Sequence, residues 1–253
     1  MKEDSNRLYF WFFAFCFSFA FFHILPALLT SYLKWPLTGG DTLDFITPFA
    51  VIPLAYIFYS RTNKTLYSIH GQLPSLDNLR ISARIFLAVG FICYVSGHGI
   101  HLSSNSLARL VQNMKDSELY RATYLFDETI SHLIWHGGVF LISVGLVIIA
   151  SQFFSKSISW KNIILLSVGA VLFGFTFTAE AIEGQSVVFA FPAAGVGFLL
   201  VLFLYFRRQK EKGKYPFLIF FLGAFLLSLI LFACWGIYHS GFPQFSELVG
   251  IWA

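Results

Sequence analysis

Charge is scarce in this chain. Only 12% of its 253 residues are Asp, Glu, Lys or Arg, about half the share of a soluble domain. That excludes an ordinary water-soluble fold, and the 57% of hydrophobic residues are gathered in long runs rather than amphipathic stripes. Cysteine is also rare: Cys16, Cys93 and Cys234 fall inside apolar runs, with no pair at metal-ligand spacing. They read as small buried hydrophobes and are silent about redox compartment. A basic patch ahead of the first apolar run is missing too. The opening Lys2, Glu3 and Asp4 are mixed in charge and the run that follows is too long for a cleavable signal, so it reads as a retained span. There is no internal repeat, and the inner halves of the runs are nearly all Phe, Leu, Ile and Val. Both absences count against a transporter.

What remains is an all-α, polytopic membrane protein. A single membrane domain over 1–253 is expected, with seven transmembrane helices near 8–33, 44–60, 81–103, 127–151, 162–182, 187–206 and 216–240. Pro48 and Pro53 interrupt the second, which makes irregular backbone an option there. Seven spans put the N-terminus and the loops 61–80, 152–161 and 207–215 on one side. With Arg84 counted in, that side holds 13 of the 17 basic residues and 4 of the 13 acids, a face near +9 opposite one near −5. Basic bias marks the cytoplasm, so the expected orientation is N-in and C-out. A basic inner face follows from topology and anionic lipid, and implies no nucleic acid.

The polar residues of the spans then fall at one depth. His98 and His101 close the third span, Asp127, Glu128, His132 and His136 open the fourth, Glu180 and Glu183 end the fifth, and His239 ends the seventh. Imidazoles and carboxylates are costly in a bilayer, so their convergence on the extracytoplasmic side points to a metal or proton-transfer site. Spacing sharpens this. His98, His101 and Asn105 share a helix face, Glu180 and Glu183 are i, i+3, and Glu128, His132 and His136 step by four. Two His at i, i+4 can serve one metal. Gly97, Gly99, Gly137, Gly138, Gly184, Gly236 and Gly241 flank the cluster and would permit close helix approach. Bland readings stand beside these: His23 as a packing residue, His70 as a solvated loop residue, Asp127 and Glu128 as helix N-terminal acids, and His239 as part of an aromatic belt. Residues 106–121, with Leu107, Leu110, Val111 and Met114, read as a helix lying flat in the interface. Phe242, Phe245, Val249 and Trp252 repeat that spacing, and either segment would suit a lid.

A hydrolytic zinc site needs about three N/O ligands, an open position for water and a carboxylate as base. The metal brings bound water to a pKa of about 7 and polarises the substrate oxygen. His98 or His101 with His132 and His136 would supply ligands, with His239 also a candidate. Asp127 or Glu128 would activate water, and Glu180 and Glu183 would orient imidazoles or grip a head group. On these residues the chain resembles the seven-helix metal hydrolases of the alkaline ceramidase and adiponectin-receptor superfamily. His132 to His136 matches that superfamily's His-x-x-x-His element, and His98 or His101 after Ser96 is similar to its Ser-and-His element at another spacing. Asp127 sits in an Asp-Glu pair, on the same helix as the His pair, and that pair lies on the fourth span instead of the last. The likeness spans residues 96–136, and it implies a zinc site cleaving an amide-linked lipid. The expected function is thus a zinc-dependent membrane hydrolase or acyl-transfer enzyme acting on a membrane lipid. A di-iron or copper oxidoreductase stays open, because a helix bundle rich in Glu and His also suits that chemistry. An ion- or ligand-binding transporter or receptor is the third reading.

Overall fold

A computed structural model describes the backbone of residues 2–70, 74–208 and 214–249, and side chains over 6–68, 77–208 and 214–248. Trp252 and the side chains of Lys2, Glu3, Asp4, His70 and Val249 lie outside the described residues. The elements run α1 (Lys2–Ile24), β1 (Tyr32–Lys34), β2 (Leu37–Thr38), α2 (Gly39–His70), α3 (Pro74–Leu110), α4 (Glu118–Tyr124), α5 (His132–Ala150), α6 (Trp160–Glu183), α7 (Val187–Arg208), α8 (Pro216–His239) and α9 (Phe245–Val249). A π-helical segment, Leu125–Ser131, joins α4 to α5 without a break. Seven of these stretches are long and apolar enough to cross a membrane, with α4, the π segment and α5 counting as one, Glu118–Ala150. The protein is therefore an all-α bundle of integral-membrane character.

Three details depart from the sequence reading. The first span ends at Leu28, and the chain then turns through the β1–β2 hairpin. α2 passes straight through Pro48 and Pro53. Membrane helices tolerate proline within a span, and beside Pro48 the Thr47 hydroxyl donates to Leu43 O at 2.8 Å, one residue before the carbonyl that the proline frees. No flat surface helix covers 106–121. The first part of that stretch prolongs α3 to Leu110, a short 3-10 turn follows at Gln112–Met114, and α4 feeds directly into the fourth span.

Phenylalanine fills the core. Phe12 of α1 lies 4.4 Å, ring to ring, from both Phe58 of α2 and Phe220 of α8, and Phe173 of α6 stacks on Phe19. Small residues set the other close contacts. Ala83, Gly90 and Gly97 recur every seven residues on α3, as do Gly138 and Gly145 on α5. A Cβ added at Gly97 would lie 2.6 Å from Trp135 Cβ, and one at Gly138 would lie 2.6 Å from Tyr94 N. The heptad interval keeps these positions on one face, so the two backbones touch along their length. This contact sets α3 and α5 face to face where the histidines begin.

Candidate functional site

One end of the bundle collects the polar residues. Its scaffold starts at the hairpin, where Thr38 and Asp41 form a capping box on α2: Asp41 Oδ2 accepts from Thr38 N at 2.7 Å, and Thr38 Oγ1 accepts from Asp41 N at 3.2 Å. The same Asp41, only 2% exposed, takes both arms of Arg109 and accepts from Asn105 Nδ2 at 3.2 Å. Arg109 also donates to Pro36 O at 2.9 Å. The start of α2 is thereby clamped onto the end of α3. That clamp holds Asp44, one turn along α2, beside His101 of α3, with Asp44 Oδ2 4.0 Å from His101 Nε2.

The other face of His101 meets the fourth span. Its Nδ1 lies 2.9 Å from Asp127 Oδ1 and 3.2 Å from His132 Nε2. A ring nitrogen has one in-plane bonding direction. Here it is aligned with His132, and Asp127 Oδ1, although at ion-pair distance, is left without an aligned donor. The π segment explains why Asp127 is the acid at this point. In a regular helix Glu128, at i−4, would share the stripe of His132. Bonding of the i→i+5 type brings residues five apart into register, and that places Asp127 there instead.

Five imidazoles ring Trp135 of α5. Its centroid lies 4.3 Å from His98, 5.1 Å from His23, 5.4 Å from both His132 and His136, and 6.2 Å from His101. Two of the five are satisfied locally. His136 Nδ1 lies 2.8 Å from His132 O, and a carbonyl only accepts, so that nitrogen carries the proton; Ser186 Oγ sits 3.1 Å away. His23 Nδ1 donates in the same way to Phe19 O at 2.6 Å, which leaves Nε2 to accept from the Tyr94 hydroxyl at 3.0 Å. His132 and His136, the i, i+4 pair, therefore do not act on one point through Nδ1. His98 is the opposite case. It is 3% exposed, and neither ring nitrogen has a hydrogen-bond partner. His239 stands apart, stacked 4.2 Å from Trp235 and against Tyr238, with no ring contact to another histidine among the described residues.

The remaining acids form a rim. Glu180 is half-buried and within electrostatic reach of Asp44 and His101. Glu128 and Glu183 instead meet the segment that follows α8. Gln244 Nε2 donates to Glu183 O and, at 3.4 Å, to Glu128 Oε2, while Ser246 N donates to Glu183 Oε2 at 3.2 Å. The Trp235 indole fixes this strap by donating to Pro243 O at 3.1 Å. Gly184 allows α6 to end against His132: a Cβ there would run into the imidazole, and the Gly184 backbone lies beside Nδ1 without hydrogen-bond alignment. Of the other glycines singled out by sequence, Gly99 and Gly241 face open space.

Asp44, Trp135 and the Asp41–Arg109 clamp are absent from the sequence-derived site. Asp44 carried a weak signal, as an acid at i+3 from Asp41 at the head of a span. Nothing in the sequence pairs Arg109 with the second span across 68 residues.

The donor set suits a metal in chemistry, with imidazole and carboxylate oxygen in one buried place and His98 unpartnered. Metal–ligand bonds of about 2.0–2.1 Å place tetrahedral ligand atoms about 3.3 Å apart, close to the 2.9 and 3.2 Å around His101 Nδ1. Among the described residues, however, no three His, Cys, Asp or Glu side chains are arranged to hold an ion as they stand. A metal would require rotation of at least one of them. No protein-family profile, curated protein or solved structure matches the chain.

Proposed function

We propose that this protein is a metal-dependent membrane enzyme, a zinc hydrolase or acyl-transfer enzyme acting on a lipid at the extracytoplasmic face, with its N-terminus in the cytoplasm. One observation carries the reading: His101 Nδ1 stands within 3.2 Å of both Asp127 Oδ1 and His132 Nε2 while able to bond well to only one. A cation shared by the three would satisfy all of them, and His98 is the adjacent unpartnered donor. His101, His132 and Asp127 would hold the ion, which when bound would polarise a carbonyl and activate water. Asp44, 4.0 Å from the far nitrogen of His101, stands on the side from which a carboxylate would orient a ligating imidazole. Glu128, half-buried on the rim, is the base with access to water, and Gln244 steadies it. The exposed apolar residues of α2, α3 and α7, such as Phe49, Ile92 and Leu199, face the acyl phase in a bilayer, so a lipid reaches the rim laterally.

A second reading has its own support. As it stands, the aligned contact of His132 Nε2 with His101 Nδ1 can pass a proton between two helices, with Asp127 2.9 Å from the same nitrogen, and no three-ligand group is preassembled among the described residues. One experiment separates the two. Protein purified in mild detergent is screened against fluorogenic lipid amides and esters, before and after chelation and after zinc is returned. Turnover lost on chelation and restored by zinc supports the metal enzyme. Turnover indifferent to chelation moves the assignment to the relay, and no turnover of any lipid amide or ester by zinc-replete protein overturns the hydrolase.

A further inference from the structure

The β1–β2 hairpin carries apolar surface that the bundle leaves exposed. Leu28, Tyr32, Leu33 and Trp35 are each at least half exposed, and the Tyr32 and Trp35 rings lie 4.9 Å apart. A contiguous apolar patch of this kind marks an interaction surface. All three residues of Tyr32–Lys34 are exposed, and strand alternation puts Tyr32 and Lys34 on one face and Leu33 on the other. A hairpin seated on a protein partner would hide one face. Exposure of both suits an element immersed in a layer.

The hairpin is held in place. Tyr32 pairs with Thr38 and Lys34 with Leu37, while Gly39 N donates to Ser31 O at 3.0 Å and Gly40 N to Leu29 O at 2.8 Å. A Cβ at Gly40 would lie 2.6 Å from Pro26 O, so glycine lets the start of α2 close on the end of α1. Arg109 of α3 donates to Pro36 O at 2.9 Å, which ties the hairpin tip to a definite level of α3.

That level can be measured along the helix. From Arg84 to Arg109, α3 rises about 38 Å at about 1.5 Å per residue, and a tilt of about 20° would shorten this only to about 35 Å. A hydrocarbon core is about 30 Å thick, or about 40–45 Å with its head groups. Charge is costly in the core, so the core lies between the two arginines, with at most about 8 Å between its edge and Arg109. Pro36 therefore falls in the head-group layer at the histidine end. Water in that layer satisfies the unpaired backbone edges of a two-stranded hairpin, which hydrocarbon would not. The side chains match as well. Tyr and Trp concentrate at membrane interfaces, and lysine carries its ammonium to the phosphates on an apolar stem. Lys34 is exposed beside the two rings and has no ion pair among the described residues.

We propose that this hairpin is an interfacial anchor whose partner is the head-group and glycerol layer of the bilayer, with Tyr32 and Trp35 among the glycerol esters, Leu28 and Leu33 at the first acyl carbons and Lys34 toward the phosphates. Through Arg109, which joins Pro36 to Asp41, the anchor also sets the depth at which the head of α2 carries Asp44 to His101. The anchor does not depend on the enzymatic reading.

The test is quenching of Trp35 fluorescence in the full chain, reconstituted in phosphatidylcholine nanodiscs that leave both faces open to solutes. The Trp35 signal is the difference between wild type and Trp35→Phe, a conservative change at an exposed side chain, and Trp35→Tyr gives the same difference independently. Lipid brominated near the glycerol end of its chains should quench that signal about twofold more than lipid brominated near the methyl end, and aqueous iodide should quench it at least about twofold less than it quenches free tryptophan. Strong quenching by iodide with none from either lipid would place the hairpin in water and overturn the proposal. Quenching by neither iodide nor lipid would put a protein surface over Trp35, whether a second copy of the chain or another polypeptide, and would overturn it equally. Stronger quenching from the methyl end would sink the hairpin in hydrocarbon, and the head-group assignment would fail.

Discussion

Replacing Gly97 by alanine adds one carbon at the tightest point between α3 and α5, one residue before His98. The new Cβ would lie 2.6 Å from Trp135 Cβ and 2.7 Å from the Trp135 Cα and N. Two of those three atoms are backbone, so no side chain can swing aside and the helices must separate by about 1 Å to restore van der Waals contact. Overpacking of this kind costs about 1–3 kcal/mol, and a backbone clash belongs at the upper end. Alanine recovers about 1 kcal/mol of helix propensity over glycine, which leaves a net loss near 2 kcal/mol. Gly99→Ala is the matched control: nothing lies within 4 Å of its added Cβ, so only the propensity gain of about 1 kcal/mol remains. Reversible unfolding in mixed micelles should thus move the two variants in opposite directions, about 3 kcal/mol apart. Separation at Gly97 also lengthens the path from His101 to His132, so the 3.2 Å contact opens and site function falls with stability. Equal stability of the two alanine variants would refute the close-approach argument and the positioning drawn from it.

Further predictions concern the polar groups. Arg109→Ala strands the Asp41 carboxylate, 2% exposed, and should destabilise the protein by about 3–5 kcal/mol by chemical denaturation; Asp41→Asn added to Arg109→Ala should restore part of the loss. His98→Phe removes an imidazole whose nitrogens have no partner, and should leave chelated protein about 1 kcal/mol more stable while lowering zinc affinity at least about tenfold. No gain in stability and no loss of zinc affinity would show His98 to be mere packing. Gln244→Ala releases the strap from Glu128 and Glu183, so hydrogen exchange over 243–248 should quicken while the protection of α5 holds. Unchanged exchange would mean that the strap is held by Phe242 and Trp235 alone.

The seven apolar stretches are legible in composition, because lipid leaves few alternatives to a helix of about 20 apolar residues. Their ends are less so. The hairpin after Leu28 and the extension of α3 to Leu110 meet through Arg109, which bonds Pro36 O and Asp41, long-range contacts without local signature. At the site, the clustering of histidines and acids was readable from spacing, and their division of labour was not. The i, i+4 rule grouped His132 with His136 and Glu128. The π segment shifts that register by one residue, bringing Asp127 to His132, while His136 turns its Nδ1 back to a carbonyl and leaves the shared point to His101 from another helix. Glycines near the histidines were visible as a group. The heptad of Gly90, Gly97, Gly138 and Gly145 carries the close approach, and two of its four members lie a full turn or more from the polar residues that draw attention.

Whether His101, His132 and Asp127 share a metal is decided by elemental analysis of protein purified in mild detergent without chelator, beside variants His101→Ala and Asp127→Asn. Near-stoichiometric zinc is expected in the native protein and its loss from both variants, with Gly99→Ala retaining it. Well-folded native protein free of zinc, iron and copper, or zinc that survives both substitutions, would contradict a metal shared by His101, His132 and Asp127.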